Sequence, residues 1–210
     1  MTHHVYTRVC GFGLTVVPRA PYRIRHAPEP PDAIDVEYDS PEGERFARLI
    51  PDNGGYRSRI SPQTSSLYDV LGIEAGPNLD RWRIETSVFT CCWPAGYTIC
   101  SNSFPQDPSP FDLLGPHREM IYVQRPRNLP DVAELSAPGQ TVVRIERTGT
   151  SEWIDLAYEH DGQKWRQRHE VVTLDGERTA VTTQAPDEFA DEAVSAARAV
   201  AESLAPYQEG

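Results

Sequence analysis

Four cysteines, six histidines and a surplus of carboxylates are the residues of this chain with the means to do chemistry. Cys91 and Cys92 stand side by side, followed by Trp93. A thiol next to a loop becomes a nucleophile when a neighbouring base or positive charge lowers its pKa. The structural alternative is that cysteine serves as a small apolar core residue, and no pattern here marks a base. On a strand, adjacent cysteines point to opposite faces, so these two are not expected to bond to each other. Cys10 and Cys100 complete the set, and no pair has the CxxC spacing of a redox or zinc site.

His117 and Glu119 are two residues apart, a spacing that suits a pair of ligands on one strand. His160 and His169 fall on one face of a predicted hairpin, at opposite ends, roughly 20 Å apart at the usual strand rise, so they cannot share a metal. Asp187-Glu188 and Asp191-Glu192 can be read as an acid/base set. They also stand in the first turns of a helix, where negative charge complements the dipole. Arg144, Arg147, Lys164, Arg166 and Arg168 form a locally basic group able to meet an acidic or phosphorylated partner. The competing role is cross-strand pairing with Asp155, Glu159 and Glu170. Gly11-Phe12-Gly13 lacks the third glycine of a phosphate loop. No catalytic set, metal site or cofactor emerges. The candidate binding residues are Trp93, Tyr97, Phe111, His117, Tyr122, Trp165, Arg166 and Arg168, chosen because aromatics at strand ends can line a ligand or peptide groove when one helix covers a sheet only in part.

The elements that must position these residues are clearest toward the C-terminus. Asp161-Gly162 sits between two alternating runs and favours a type I′ hairpin. That register sets His160 against Gln163, Tyr158 against Trp165, Leu156 against Gln167 and Ile154 against His169. It also gives one half-apolar face and one charged face, as in a sheet wet on one side. Asp175-Gly176 repeats the device, so three strands form a meander. An amphipathic helix follows, opened by Pro186 and striped with Phe189, Ala193, Ala197, Val200 and Leu204. Its apolar stripe must dock on the sheet to be stable.

Upstream the pattern predicts one bent strand within Val5–Val17, a proline-rich connector over 18–31, and a hairpin of Ile34–Tyr38 with Phe46–Ile50 around Ser40–Gly43. It then predicts a loop over 51–64, a short helix over 65–71 capped by serine, and a strand from Arg81 through Thr90. A polar loop runs from Ser101 to Pro116, and helical turns are allowed over Asp131–Leu135. The fold class is α+β: a twisted, mainly antiparallel sheet with a C-terminal amphipathic helix packed on it and a β-rich extension over residues 1–80.

At 210 residues the chain can bury a substantial core. Its formal net charge of −11 disfavours nucleic acid and anionic lipid as partners. No apolar run is long enough for a membrane span, arginines interrupt any leader-like stretch near the N-terminus, and the reduced cytosol is the expected setting.

From about Phe89 to Pro206 the chain resembles the PsbP-like α/β sandwich superfamily, which includes extrinsic photosystem subunits, actinobacterial LpqN-type lipoproteins and DcrB-like proteins. The likeness rests on an order of features: Phe89 followed by Trp93-Pro94-Ala95-Gly96-Tyr97, Tyr158 before the Gly162 hairpin and Trp165, then Asp175-Gly176 with Val181-Thr182-Thr183, and Phe189 opening a helix that ends in Ser203-Leu204. It implies a domain over 81–210 and a non-catalytic binding or accessory role, as an adaptor or as a chaperone for a secreted effector, with a protein partner and the option of homodimerisation. Two other readings stay open: an enzyme or small-ligand binder with its site near Cys91, Cys92 and His117, and an immunity protein whose acidic surface masks a basic toxin.

Overall fold

The computed structural model describes residues 6–40, 43–53, 55–61, 66–102, 109–124, 129–148 and 151–207. Within them the chain is α+β but strongly dominated by antiparallel strands, with one α-helix near its C-terminus. In chain order the strands are β1 (Thr7–Gly11), β2 (Leu14–Pro18), β3 (Arg23–His26), β4 (Ile34–Ser40), β5 (Gly43–Asp52), β6 (Gly55–Ser61), β7 (Leu71–Ala75), β8 (Arg83–Thr86), β9 (Phe89–Cys92), β10 (Thr98–Ser101), β11 (Phe111–Leu114) and β12 (Met120–Val123). They continue with β13 (Thr141–Arg147), β14 (Glu152–His160), β15 (Gln163–Leu174) and β16 (Glu177–Pro186), then helix α1 (Ala190–Ser203) and the two-residue strand β17 (Ala205–Pro206).

These strands make two sheets. The smaller runs β17-β9-β8-β1-β2-β7 and the larger β13-β14-β15-β16-β12-β11-β10-β3-β4-β5-β6. Both therefore pair strands from before and after residue 80. One apolar cluster, with Val9, Ile24, Leu49, Phe89, Ile121 and Val200 among its members, draws on both sheets and on α1. A second, smaller cluster lies where Leu129 and Val132 pack on Ile154, Leu156, Val171 and Ala180.

The hairpins at Asp161-Gly162 and Asp175-Gly176 form in the expected register, with His160 against Gln163, Tyr158 against Trp165 and Ile154 against His169. All four turn residues have positive φ, the conformation an Asp-Gly type I′ turn demands. β4 and β5 pair as expected, Ile34 against Leu49, while Pro41 and Glu42 of their turn lie outside the described residues.

Several expectations are corrected. The run through Val5–Val17 is two strands, not one, because Phe12 and Gly13 take φ of 52° and 79° and reverse the chain. The strand expected from Arg81 to Thr90 is likewise a hairpin. The Thr86 hydroxyl accepts the N–H groups of Val88 and Phe89 and donates to the Phe89 carbonyl at 2.9 Å, so one side chain satisfies the turn. Much of the loop over 51–64 is strand, the end of β5 and all of β6, because charged side chains suit a solvent-facing edge. The short helix shrinks to a 3₁₀ turn over Leu67–Asp69 followed by β7, and Ser65 lies outside the described residues. The connector over 18–31 contains β3, and the loop over 101–116 contains β11.

The most consequential correction concerns which face of the meander is covered. Helix α1 lies over the charged face of β14–β16, not over a dry one. Asp155 and Arg168 meet there in a bidentate pair at 2.6 and 2.7 Å, beneath Ala190, Ala193 and Val194. Both residues are less than 10% exposed. The alanines of α1 are small enough to leave room for the pair, and Trp153 stacks on the Arg168 guanidinium at 4.0 Å. On the opposite face, Gln167 Nε2 and Thr182 Oγ1 bracket the two ring nitrogens of His169 at 2.7 and 2.8 Å.

Two outcomes are expected in urea unfolding. Asp155→Ala strands a buried guanidinium and lowers stability by about 3–5 kcal/mol, while replacing Asp155 and Arg168 together by apolar residues costs far less. Burial pushes the His169 pKa down to about 4, so folding favours its neutral form. That contribution is fully present above pH about 6.5 and is lost as the pH falls toward 4, by about 3 kcal/mol, a slope that His169→Gln flattens.

Candidate functional site

Two turns and one helix face enclose an open groove of about 520 Å³. The first wall is Pro94-Ala95-Gly96-Tyr97. Gly96 takes a φ of 81°, and the Tyr97 N–H donates to the Pro94 carbonyl. Trp93 holds this turn from inside: its Nε1 donates to the Tyr97 carbonyl at 2.8 Å, and its ring stacks on His26 at 3.8 Å. Burial lowers the pKa of that histidine, so it stacks as a neutral ring.

The second wall is the turn from Gly115 to Glu119. The Gly115 N–H donates to the Glu119 carbonyl at 2.8 Å, and the Glu119 carboxylate accepts the His117 N–H at 2.6 Å. A Cβ at Gly115 would stand 2.5 Å from that carboxylate, so the Glu119 side chain would have to shift to admit one. His117 lies flat on Phe189 at 4.2 Å and 11° between planes, which ties the turn to the start of the helix. The third wall is α1 itself, through Glu192, Ser195, Ala196 and Ala199, which recur at helical spacing along one stripe.

Tyr97 is the polar centre of the groove. Its pKa is pushed up to about 12, first by burial and then by the negative charges of Glu119 and Glu192. The phenol therefore keeps its proton and serves as a hydrogen-bond donor beside two acids. Apart from the His117 imidazole and the Ser195 hydroxyl, the rest of the lining is small or apolar. No cysteine lies among the residues that line the groove.

Of the residues the sequence singled out, Trp93, Tyr97 and His117 meet here. Phe111 is elsewhere: it is fully buried in the shared core, near Phe89. Tyr122 stands half-buried on the opposite face of the large sheet, beside Asp112 and Thr182. Trp165 is on that same face, with Tyr158 stacked against it and the Arg118 guanidinium 5.1 Å from its ring. Arg166 reaches Asp191 at 3.1 Å and Asp187 at 3.9 Å, fastening the sheet to the helix start. Arg168 is committed to Asp155. The other arginines of the basic group are likewise paired, Arg144 with Glu146, and Arg147 with Asp131 and Glu152.

The spacing of His117 and Glu119 serves a turn here, in which the carboxylate takes the His117 backbone N–H. Among the described residues no group of three or more His, Cys, Asp or Glu side chains is placed to hold a metal ion. Cys91 is fully buried in the core, and burial drives its thiol pKa far above the ordinary range. Cys92 lies on the other face, its N–H donating to Ser203 Oγ at 2.8 Å. Sequence reasoning passed over Glu119 as a groove residue and missed the stripe of Glu192, Ser195, Ala196 and Ala199. The stripe was visible as a second run at helical spacing beside the apolar one.

No family model and no curated protein matches the chain. Among solved structures it is similar to LpqN, a protein involved in cell envelope biogenesis of Mycobacterium tuberculosis, with 11% identity over 98% of this chain and 93% of that one and a TM-score of 0.28. A likeness that distant carries no argument about this chain. No helix among the described residues is long and apolar enough to cross a membrane.

Spectrophotometric titration tests the site's electrostatics. Two tyrosines, Tyr97 and the buried Tyr22, should ionise only near pH 12, and Tyr97→Phe should halve that phase. An all-normal titration in the wild type contradicts the geometry.

Proposed function

We propose that this protein is a non-catalytic binding module, an adaptor or chaperone that grips a segment of another protein in the groove between Tyr97, His117 and α1. The observation that carries the reading is the chemistry of that groove. It is open to solvent, its helix side offers small residues that a partner's side chain can pack against, and its charged groups are two carboxylates beside one protonated phenol, with the His117 imidazole and the Ser195 hydroxyl as further polar groups. Such a surface selects an apolar segment carrying a lysine or arginine. The net charge of −11 adds long-range attraction for the same kind of partner. The order of features from Phe89 to Leu204 that resembles the PsbP-like group, largely binding and accessory proteins, supports the same conclusion.

The rival reading of a cysteine enzyme is weakened by Cys91, since a thiol whose pKa is raised by burial is the opposite of an activated nucleophile. A cytosolic setting accords with four cysteines that are all free in the structure.

Ala199→Trp, at an exposed position on the groove stripe, fills the groove without entering the core. Affinity capture from the native host should recover a stoichiometric protein partner with the wild type. The variant should lose about tenfold or more of that recovery with an unchanged circular dichroism spectrum. Recovery of no stoichiometric partner, or equal recovery by the variant, defeats the proposal.

A further inference from the structure

A sheet that ends in a bare strand invites another strand, and the larger sheet of this protein ends in β13. One side of β13 pairs with β14, and no strand among the described residues pairs with its other side. Two of the four exposed large apolar side chains among those residues, Val142 and Val143, stand together on this strand at 44% and 57% exposure.

The charges of β13 say which strand fits it. Arg144 and Glu146 lie on one face of the strand and are already an ion pair. A second copy of the same strand, laid antiparallel about a two-fold axis normal to the sheet, must oppose residues of one face to each other, so the axis passes through a residue that faces itself. Centred on Arg144 or on Glu146, this pairing opposes like charges and is destabilised. Centred on Ile145, it sets Arg144 against Glu146 of the second copy, and the reverse. Four charges then alternate in sign, each arginine between two carboxylates, while the two Ile145 side chains meet on the other face. Val143 falls beside the aliphatic stem of Arg147 at either end.

The far end of the same sheet lacks this property. There β6 carries Arg57 and Arg59, and symmetric pairing centred on Arg57, Ser58 or Arg59 opposes arginine to arginine. On β13 the bulge between Val142 and Arg144 interrupts the ladder, which keeps any pairing short and reversible. We propose that the protein forms a two-fold dimer through antiparallel pairing of β13 with β13 of a second copy, centred on Ile145, which joins the two larger sheets into one. No residue of β13 lines the groove between Tyr97, His117 and α1, so the dimer and the binding function proposed for that groove stand or fall separately.

Sedimentation velocity of the full chain over about 10 µM to 1 mM tests the dimer. The wild type should show a reversible monomer–dimer equilibrium. Glu146→Arg turns both attractive cross-strand pairs into repulsive ones and should weaken dimerisation by about tenfold or more. The double variant Arg144→Glu with Glu146→Arg restores the alternation and should return the affinity to within about threefold of wild type. Hydrogen exchange of the wild type adds a readout that depends on no variant: amides of β13 should gain protection as concentration rises. A monomer at every concentration, association past the dimer, a dimer that Glu146→Arg leaves unchanged, a double variant that stays monomeric, or β13 amides indifferent to concentration each overturns the proposal.

Discussion

The structure depends on a helix that covers charge. α1 lies over the face of β14–β16 that carries Asp155, Arg168 and Glu170, and it can do so because its buried stripe is nearly all alanine. Larger side chains would collide with the ion pair, while fewer contacts would leave the pair in water. With Asp155 and Arg168 locked bidentately under the first turns and Arg166 clasping Asp187 and Asp191, the helix has one seating on the sheet. Directional charge pairs fix a register that apolar contacts alone leave loose.

From that seating both concave surfaces along the helix follow. A helix has several stripes, and here three have separate duties. Ala190, Ala193, Ala197 and Val200 are buried. Glu192, Ser195, Ala196 and Ala199 wall the groove shared with Tyr97 and His117. Arg198, Ala201 and Glu202 roof a cavity over Glu170. Neither surface holds a reactive thiol, and the titratable groups that burial perturbs most strongly, Cys91 and His169, sit away from both.

The sequence revealed turns whose chemistry is local and obscured those whose chemistry is borrowed. Asp161-Gly162 and Asp175-Gly176 announce their hairpins because the turn needs positive φ and those residues supply it. The reversal at Ser87-Val88 is invisible to pattern, since it hangs on the single hydroxyl of Thr86. Face assignment failed for a related reason. Alternation correctly sorted Asp155 and Arg168 onto one face, but polarity suggested that the face was wet. Only the pairing of the two charges with each other, under small helix residues, makes burial affordable. The groove was legible in part: Trp93, Tyr97 and His117 stood out as aromatic and titratable residues, while Glu119 and the alanine-serine stripe look like ordinary turn and helix grammar.

The two residues of β17 give the helix a further property. α1 leaves the large sheet directly from β16 and, just after its last turn, Ala205 pairs with Thr90 and Pro206 with Phe89 in the small sheet. The helix is thereby a strut pinned at both ends to different slabs. A force on its groove side would therefore pass into both slabs at once and not into one alone.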